Sequence, residues 1–260
     1  MTLKRYPEEP AAGPWRVERI ADLFAGFADL AEMAAERPLV VAIDGRSSSG
    51  KTTVAERIAD AIPATAVVHT DDIAWFHSRF GWADLAVRVL EAARAGEPLS
   101  FRPPAWDKRG REGAIVLPRD IRLLLLEGVG SSREELSHLL DRRLWVQADR
   151  AATDRRDDDR VVAGEVTRST LEAWMAEELS FVAARRPWEH ADLVLAGTPT
   201  LPHDPRMEVI VADGPSQAWR TAAAFEDGSV FAPRPETRSH PHAGHVRVTR
   251  SPLAAQVACR

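Results

Sequence analysis

The sequence predicts an α/β protein built on a mainly parallel five-stranded sheet with helices on both faces. Three observations carry this reading. Short apolar, β-branched runs recur along the chain, stretches with helical apolar spacing separate them, and no hairpin signal joins neighbouring runs. The 260 residues are enough for one large domain or one domain with an appendage. With 45% hydrophobic and 28% charged residues the chain sustains a packed core, which excludes wholesale disorder.

Residues 1–14 carry several prolines and read as a lead-in. In residues 15–37, Ile20, Leu23, Phe24, Phe27, Leu30, Ala31 and Ala34 fall at helical spacing, and Pro38 stops the helix. Leu39-Val40-Val41-Ala42-Ile43 is the first buried strand. Residues 52–62 form a helix with Val54, Ile58 and Ile62 on one stripe. Residues 65–70 are the second strand, ending in Asp71-Asp72, and residues 82–95 are a helix closed by Gly96. Residues 97–120, rich in Pro and charge, read as an irregular insertion. Leu123-Leu124-Leu125-Leu126 is the third strand and ends at Glu127-Gly128. Ser131 to Glu135 has the look of a helix N-terminus with early carboxylates. Leu144-Trp145-Val146 is the fourth strand. A charged block, 155–160, leads to a long helix over 167–186, and residues 192–197 are the fifth strand. Residues 207–212 are a candidate further strand, and beyond about residue 199 the pattern decays. The expected organisation is a lead-in with an amphipathic helix (1–37), a core domain (38–200) and a poorly defined C-terminal extension (201–260).

Composition narrows the function. A net charge of −5 argues against a nucleic-acid scaffold. The single cysteine, Cys259, allows no intrachain disulfide or Cys-rich zinc site and points to a reducing compartment. No apolar run reaches membrane-spanning length and the first 14 residues lack a signal core, so the expectation is a cytoplasmic protein with no membrane partner.

One motif carries chemistry. Gly45-Arg46-Ser47-Ser48-Ser49-Gly50-Lys51-Thr52 fits G-x-x-x-x-G-K-[ST] at every fixed position, with a buried strand entering and a helix leaving. Backbone N–H groups of such a loop converge on phosphate, and the helix N-terminus adds positive potential. Lys51 neutralises phosphate oxygens and the Thr52 hydroxyl can hold Mg²⁺. Lys51 is one of only three lysines. The reading is therefore a P-loop NTPase three-layer sandwich using ATP and Mg²⁺. The chain has no asparagine, which disfavours an Asn-Lys-x-Asp guanine reader. The third strand ends in a single Glu127 rather than the paired acids of motor ATPases, which suits a small-molecule kinase better.

Ile43-Asp44-Gly45-Arg46-Ser47-Ser48-Ser49-Gly50-Lys51-Thr52-Thr53 resembles the phosphate loop of uridine kinases and their relatives, the phosphoribulokinase and pantothenate kinase group. Asp71-Asp72 resembles that family's Asp-x-Phe-Tyr segment. Leu126-Glu127-Gly128-Val129 resembles its Glu-Gly-Ile/Val strand end, and Trp145-Val146 with Asp149, Arg155, Arg156 and Arg160 is similar to its fourth strand and arginine-rich lid. The likeness spans roughly residues 38–200. It implies an ATP-dependent transfer of the γ-phosphate to a hydroxyl of a nucleoside-like small molecule. It also implies that residues 45–53, Thr53 included, surround the nucleotide phosphates and that Asp71 accepts the acceptor's proton. Ile73-Ala74-Trp75 stands where the family has Phe-Tyr, so another hydroxyl acceptor is the first alternative. A non-catalytic ATP-binding regulatory module is the second.

Each residue has a plainer reading beside it. Asp71 is the base or a strand-end cap. Glu127 shares Mg²⁺ with Thr52 or forms an ion pair with a residue such as Arg133, and Asp72 assists or holds Mg²⁺-bound water. Arg155, Arg156 and Arg160 clamp the transferring phosphoryl group, with Arg156 the catalytic candidate, or are a solvated charge run. Trp75, Phe76, Phe80, Trp82 and Trp106 stack a planar substrate or pack a core. Arg79, Arg102 and Asp107 are candidates to orient sugar hydroxyls. The tail histidines His240, His242 and His245 carry no site. The first helix packs on the core, with a homo-oligomer contact as the alternative.

Overall fold

The computed structural model describes residues 4–6, 8–27 and 37–216. The second half of the expected first helix and the tail with Cys259 and its three histidines lie outside them. At the centre runs β2 (Leu39–Gly45), buried along its whole length. It is flanked on one side by β6 (Leu123–Glu127) and then β3 (Thr65–His69), and on the other by β7 (Arg142–Gln147) and then β8 (Leu193–Ala196), all parallel. These are the five strands expected from sequence.

Two more complete a seven-stranded sheet, which corrects the count of five. β9 (Glu208–Asp213) pairs antiparallel with β8, and β1 (Arg16–Arg19) pairs antiparallel with β9. β1 falls inside the segment expected to be wholly helical. Its four residues alternate between more and less buried, too short a run for period two to stand out from the helical pattern behind it. The helix α1 (Ile20–Phe27) begins only where Ile20 N–H donates to Met207 C=O, and it buries Ile20, Leu23, Phe24 and Phe27.

Alternation along β2 builds the layers. Val41 and Ile43 join α1 and α2 (Lys51–Ala61) in one core, with Phe24, Phe27, Val54 and Ile58. Val40 faces the other side, against Trp82, Leu90 and Trp106, where α4 (Ala83–Arg94) packs; a short helix, α3 (Thr70–Ile73), precedes it. A third cluster around Trp145 and Trp188 anchors α7 (Arg168–Arg185) through Val182. Because both faces are covered, the strands read as continuous apolar runs.

The insertion is more regular than expected. Residues 97–120 hold an antiparallel pair, β4 (Leu99–Phe101) and β5 (Ile115–Leu117), with α5 (Pro104–Arg109) between them. Three-residue strands joined through a helix leave no hairpin signature. The charged block lies within a helix, α6 (Arg150–Val162), whose N-cap Asp149 accepts from Ala152 N–H. The expected helix start at Ser131 is delayed: Ser131 and Ser132 are buried, and a 3₁₀ turn spans Glu134–Leu139. Among the described residues no helix is long and apolar enough to cross a membrane.

Candidate functional site

The chain runs from β2 out to β3, back to β6 between them, then to the far side of β2 with β7 and β8. Strand order reverses at β2, so the crevice above its carboxyl end is where such a sheet holds ligands. Register brings Ile43 level with Glu127, and Glu127 level with His69. The loop leaving β2, the end of β6 and the turn after β3 therefore share one edge.

The phosphate-loop residues bridge β2 to α2. Gly50 caps α2 at φ 98°, a left-handed conformation that glycine adopts without strain. Lys51, in the first turn of α2, is buried, and its Nζ donates to Arg46 C=O at 2.7 Å. Thr52 Oγ1 donates to Glu127 Oε1 at 3.3 Å, and His69 Nδ1 lies 2.5 Å from Glu127 Oε2. The hydroxyl and carboxylate are adjacent hard oxygens, a donor set that fits Mg²⁺ with water and phosphate completing the shell. The plainer reading of Glu127 does not hold for Arg133, which donates to Phe80 C=O and Gly130 C=O and stacks over Trp82.

Asp71 lies in the first turn of α3. Burial raises its pKa from the ordinary aspartate value, and the Glu127 charge adds to the rise; Lys51 and His69 pull the other way, and Asp72 contributes a smaller upward push. The Asp71 side chain is nevertheless exposed at the surface, so its charged neighbours crowd it without sealing it from water. Asp72 is engaged elsewhere, ion-paired with Arg111, while its carbonyl accepts from Trp106 Nε1 at 2.9 Å.

The two helices that follow β7 touch the loop. Arg156 Nη1 donates to Ser48 C=O at 2.7 Å and Nη2 to Gly197 C=O at 3.3 Å. Arg160 pairs with Asp157 and Glu165, and Arg155 is exposed. Arg46 turns away from the cleft and is buried over the Tyr6 ring, 3.8 Å from Glu9. Among the aromatic candidates, Trp82 and Trp106 are core residues. Trp75 and Phe76 pack edge to face and are half-buried; Phe80 stacks on Phe181. Arg102 pairs with Asp107 within the insertion, and Arg79 pairs with Glu177 on α7.

Four further residues meet the site: His69, Asp157, Trp174 and Glu178. Ser48 Oγ donates to Asp157 at 2.5 Å, Ser47 Oγ donates to Glu178 at 2.5 Å, and Trp174 Nε1 donates to Ser47 Oγ at 2.6 Å. The i, i+4 spacing of Trp174 and Glu178 on one helix face was the available signal.

A P-loop α/β sandwich is the class that this strand order and this strand–loop–helix unit define. No family model matches the chain. No curated protein matches it either. Among solved structures, a candidate fructose transport system kinase from Silicibacter sp. TM1040 is 18% identical over 65% of this chain and 96% of that one, with a TM-score of 0.47. A possible uridine kinase from Bacillus stearothermophilus is 19% identical over 66% of this chain and 98% of that one, with a TM-score of 0.43.

Proposed function

We propose that the chain is an ATP-dependent small-molecule kinase whose acceptor is a hydroxyl of a nucleoside-like compound. The observation that carries this reading is the convergence of Lys51, Thr52, Glu127 and Asp71 at one strand edge. A module that only bound nucleotide would have no use for a proton acceptor beside the phosphate loop. Phosphoryl transfer asks the protein for alignment, charge neutralisation and somewhere to put one proton. The loop amides and Lys51 hold the phosphates of ATP. When bound, Mg²⁺ supplies charge neutralisation, and Thr52 and Glu127 are the residues that would hold it. The acceptor oxygen bonds to the γ-phosphorus as the bond to the β–γ bridging oxygen breaks. ADP leaves with that electron pair, and the hydroxyl proton passes to a carboxylate oxygen of Asp71. Arg156, which donates to the loop carbonyl of Ser48, is the proposed partner for charge on the transferring group. A non-nucleoside hydroxyl compound is the alternative acceptor.

The test is incubation with Mg²⁺-ATP and a panel of hydroxyl compounds, with product read by mass. A product heavier by one phosphoryl group is expected, and Asp71→Ala should abolish turnover while nucleotide binding persists. Wild-type protein that ignores adenine nucleotides in the presence of Mg²⁺ would overturn the reading.

A further inference from the structure

We infer that Glu178 is a resident anion of the phosphate loop, one that an incoming phosphate must displace, so that ligand entry and movement of α7 are a single event. The inference builds on the nucleotide-binding reading above and concerns what guards that site. Glu178 is 1% exposed. Both its oxygens accept from the Ser47 N–H at 3.1 Å, and Oε2 also accepts from Ser47 Oγ at 2.5 Å and Trp174 Nε1 at 2.9 Å. These donors are all neutral. Of the loop's two cations, Lys51 donates to Arg46 C=O and the Arg46 guanidinium lies over the Tyr6 ring. A carboxylate held by a backbone amide of an anion-binding loop occupies the kind of place the loop offers to phosphate. A phosphate entering there meets like charge in a poorly hydrated setting, where repulsion is strong.

The neighbouring helix sets a second acid on the loop. Asp157 of α6 is 5% exposed and accepts from Ser48 Oγ at 2.5 Å. Both helices that follow β7 thus dock acids on consecutive loop serines. Trp174 ties the device to an observable. Its indole donates to Ser47 Oγ and to Glu178 together, so withdrawal of Glu178 removes one acceptor and disturbs the other.

Glu178→Gln keeps size and an acceptor oxygen but removes the charge. Calorimetric titration of the full chain with inorganic pyrophosphate, and separately with Mg²⁺-ATP, is expected to show both binding about tenfold more tightly to this variant than to wild type. Wild-type tryptophan emission should shift on saturation with pyrophosphate, and the shift should vanish in Trp174→Phe. Pyrophosphate binding that is unchanged or weaker in a folded Glu178→Gln protein overturns the inference, as does wild-type emission indifferent to saturating pyrophosphate. If the variant does not fold, the wild-type emission and its Trp174→Phe control decide alone. Tighter pyrophosphate binding with no Mg²⁺-ATP binding to either protein upholds the resident anion and overturns the nucleotide reading.

Discussion

Asp71 is under opposing influences that suit a proton acceptor. Burial and the Glu127 charge raise its pKa, while Lys51 and His69 restrain the rise. A base must be deprotonated to work, so turnover should fall as acid titrates Asp71, with the acid limb above the ordinary aspartate value of about 3.9. Replacement by Asn should cost roughly 10²–10⁴ in kcat and leave Mg²⁺-ATP affinity intact, as steady-state rates beside calorimetry would show. On the proposed kinase reading, His69 acts at one remove. Its Nδ1 holds Glu127 Oε2, leaving Oε1 toward Thr52. A partner that orients a metal-binding carboxylate is commonly worth 10–100-fold in metal affinity. His69→Gln should therefore raise the Mg²⁺ concentration for half-maximal rate by roughly tenfold with little change in kcat at saturating Mg²⁺. An unchanged Mg²⁺ dependence would remove His69 from this role.

At the strand ends a side chain packs closely against glycine backbone. At Gly128, just past β6, φ is 144°, and an added Cβ would lie 1.8 Å from Thr70 Oγ1. Thr70 directly precedes Asp71, so this contact lies one residue from the proposed base. Gly128→Ala should destabilise the fold by about 1–3 kcal/mol and lower kcat beyond what that loss explains. Denaturant unfolding together with kcat on the folded fraction would separate the two effects. Full activity in a folded Gly128→Ala protein would show that this turn does not position Asp71.

The opposite end of the sheet carries stability rather than chemistry. Asp141 accepts from Arg37 at 2.7 and 2.8 Å, from Val40 N–H at 2.8 Å and from Arg94 at 3.2 Å, joining the approach to β2, β2 itself, α4 and the entry to β7. Burial alone would raise the Asp141 pKa, but Arg37, the Val40 amide and Arg94 outweigh it and hold it below the ordinary value. A carboxylate depressed in this way stabilises the fold above its unfolded pKa of about 3.9, and that stabilisation is lost as pH falls through the lower folded value. Asp141→Asn should cost about 3 kcal/mol near neutral pH and flatten the acid side of the stability curve, as urea unfolding across pH would reveal. Glu9 has the opposite sign. Burial raises its pKa and outweighs the lowering effect of the hydrogen bonds from Trp145 and Gln147, so its contribution weakens as pH rises through that value.

Much of this is legible in the sequence alone. The five parallel strands announce themselves because strands covered on both faces must be apolar throughout, and the phosphate loop because its glycines and its lysine have fixed places relative to a strand and a helix. Thr52, Asp71 and Glu127 could be picked out because each stands at the end of an element, where chain order already implies a shared edge. The edge strand Arg16–Arg19 and the β4–β5 pair stayed hidden, because strands this short take their pairing from distant partners and not from their own pattern. The engagement of Asp72 by Arg111, the turn of Arg46 away from the cleft and the seating of Glu178 on Ser47 were equally out of reach. Local sequence specifies what a segment can form and which groups it carries. Which charge meets which across a hundred residues is settled only when the layers pack, because desolvation lets a carboxylate stay ionised there only beside the donors that the fold brings to it.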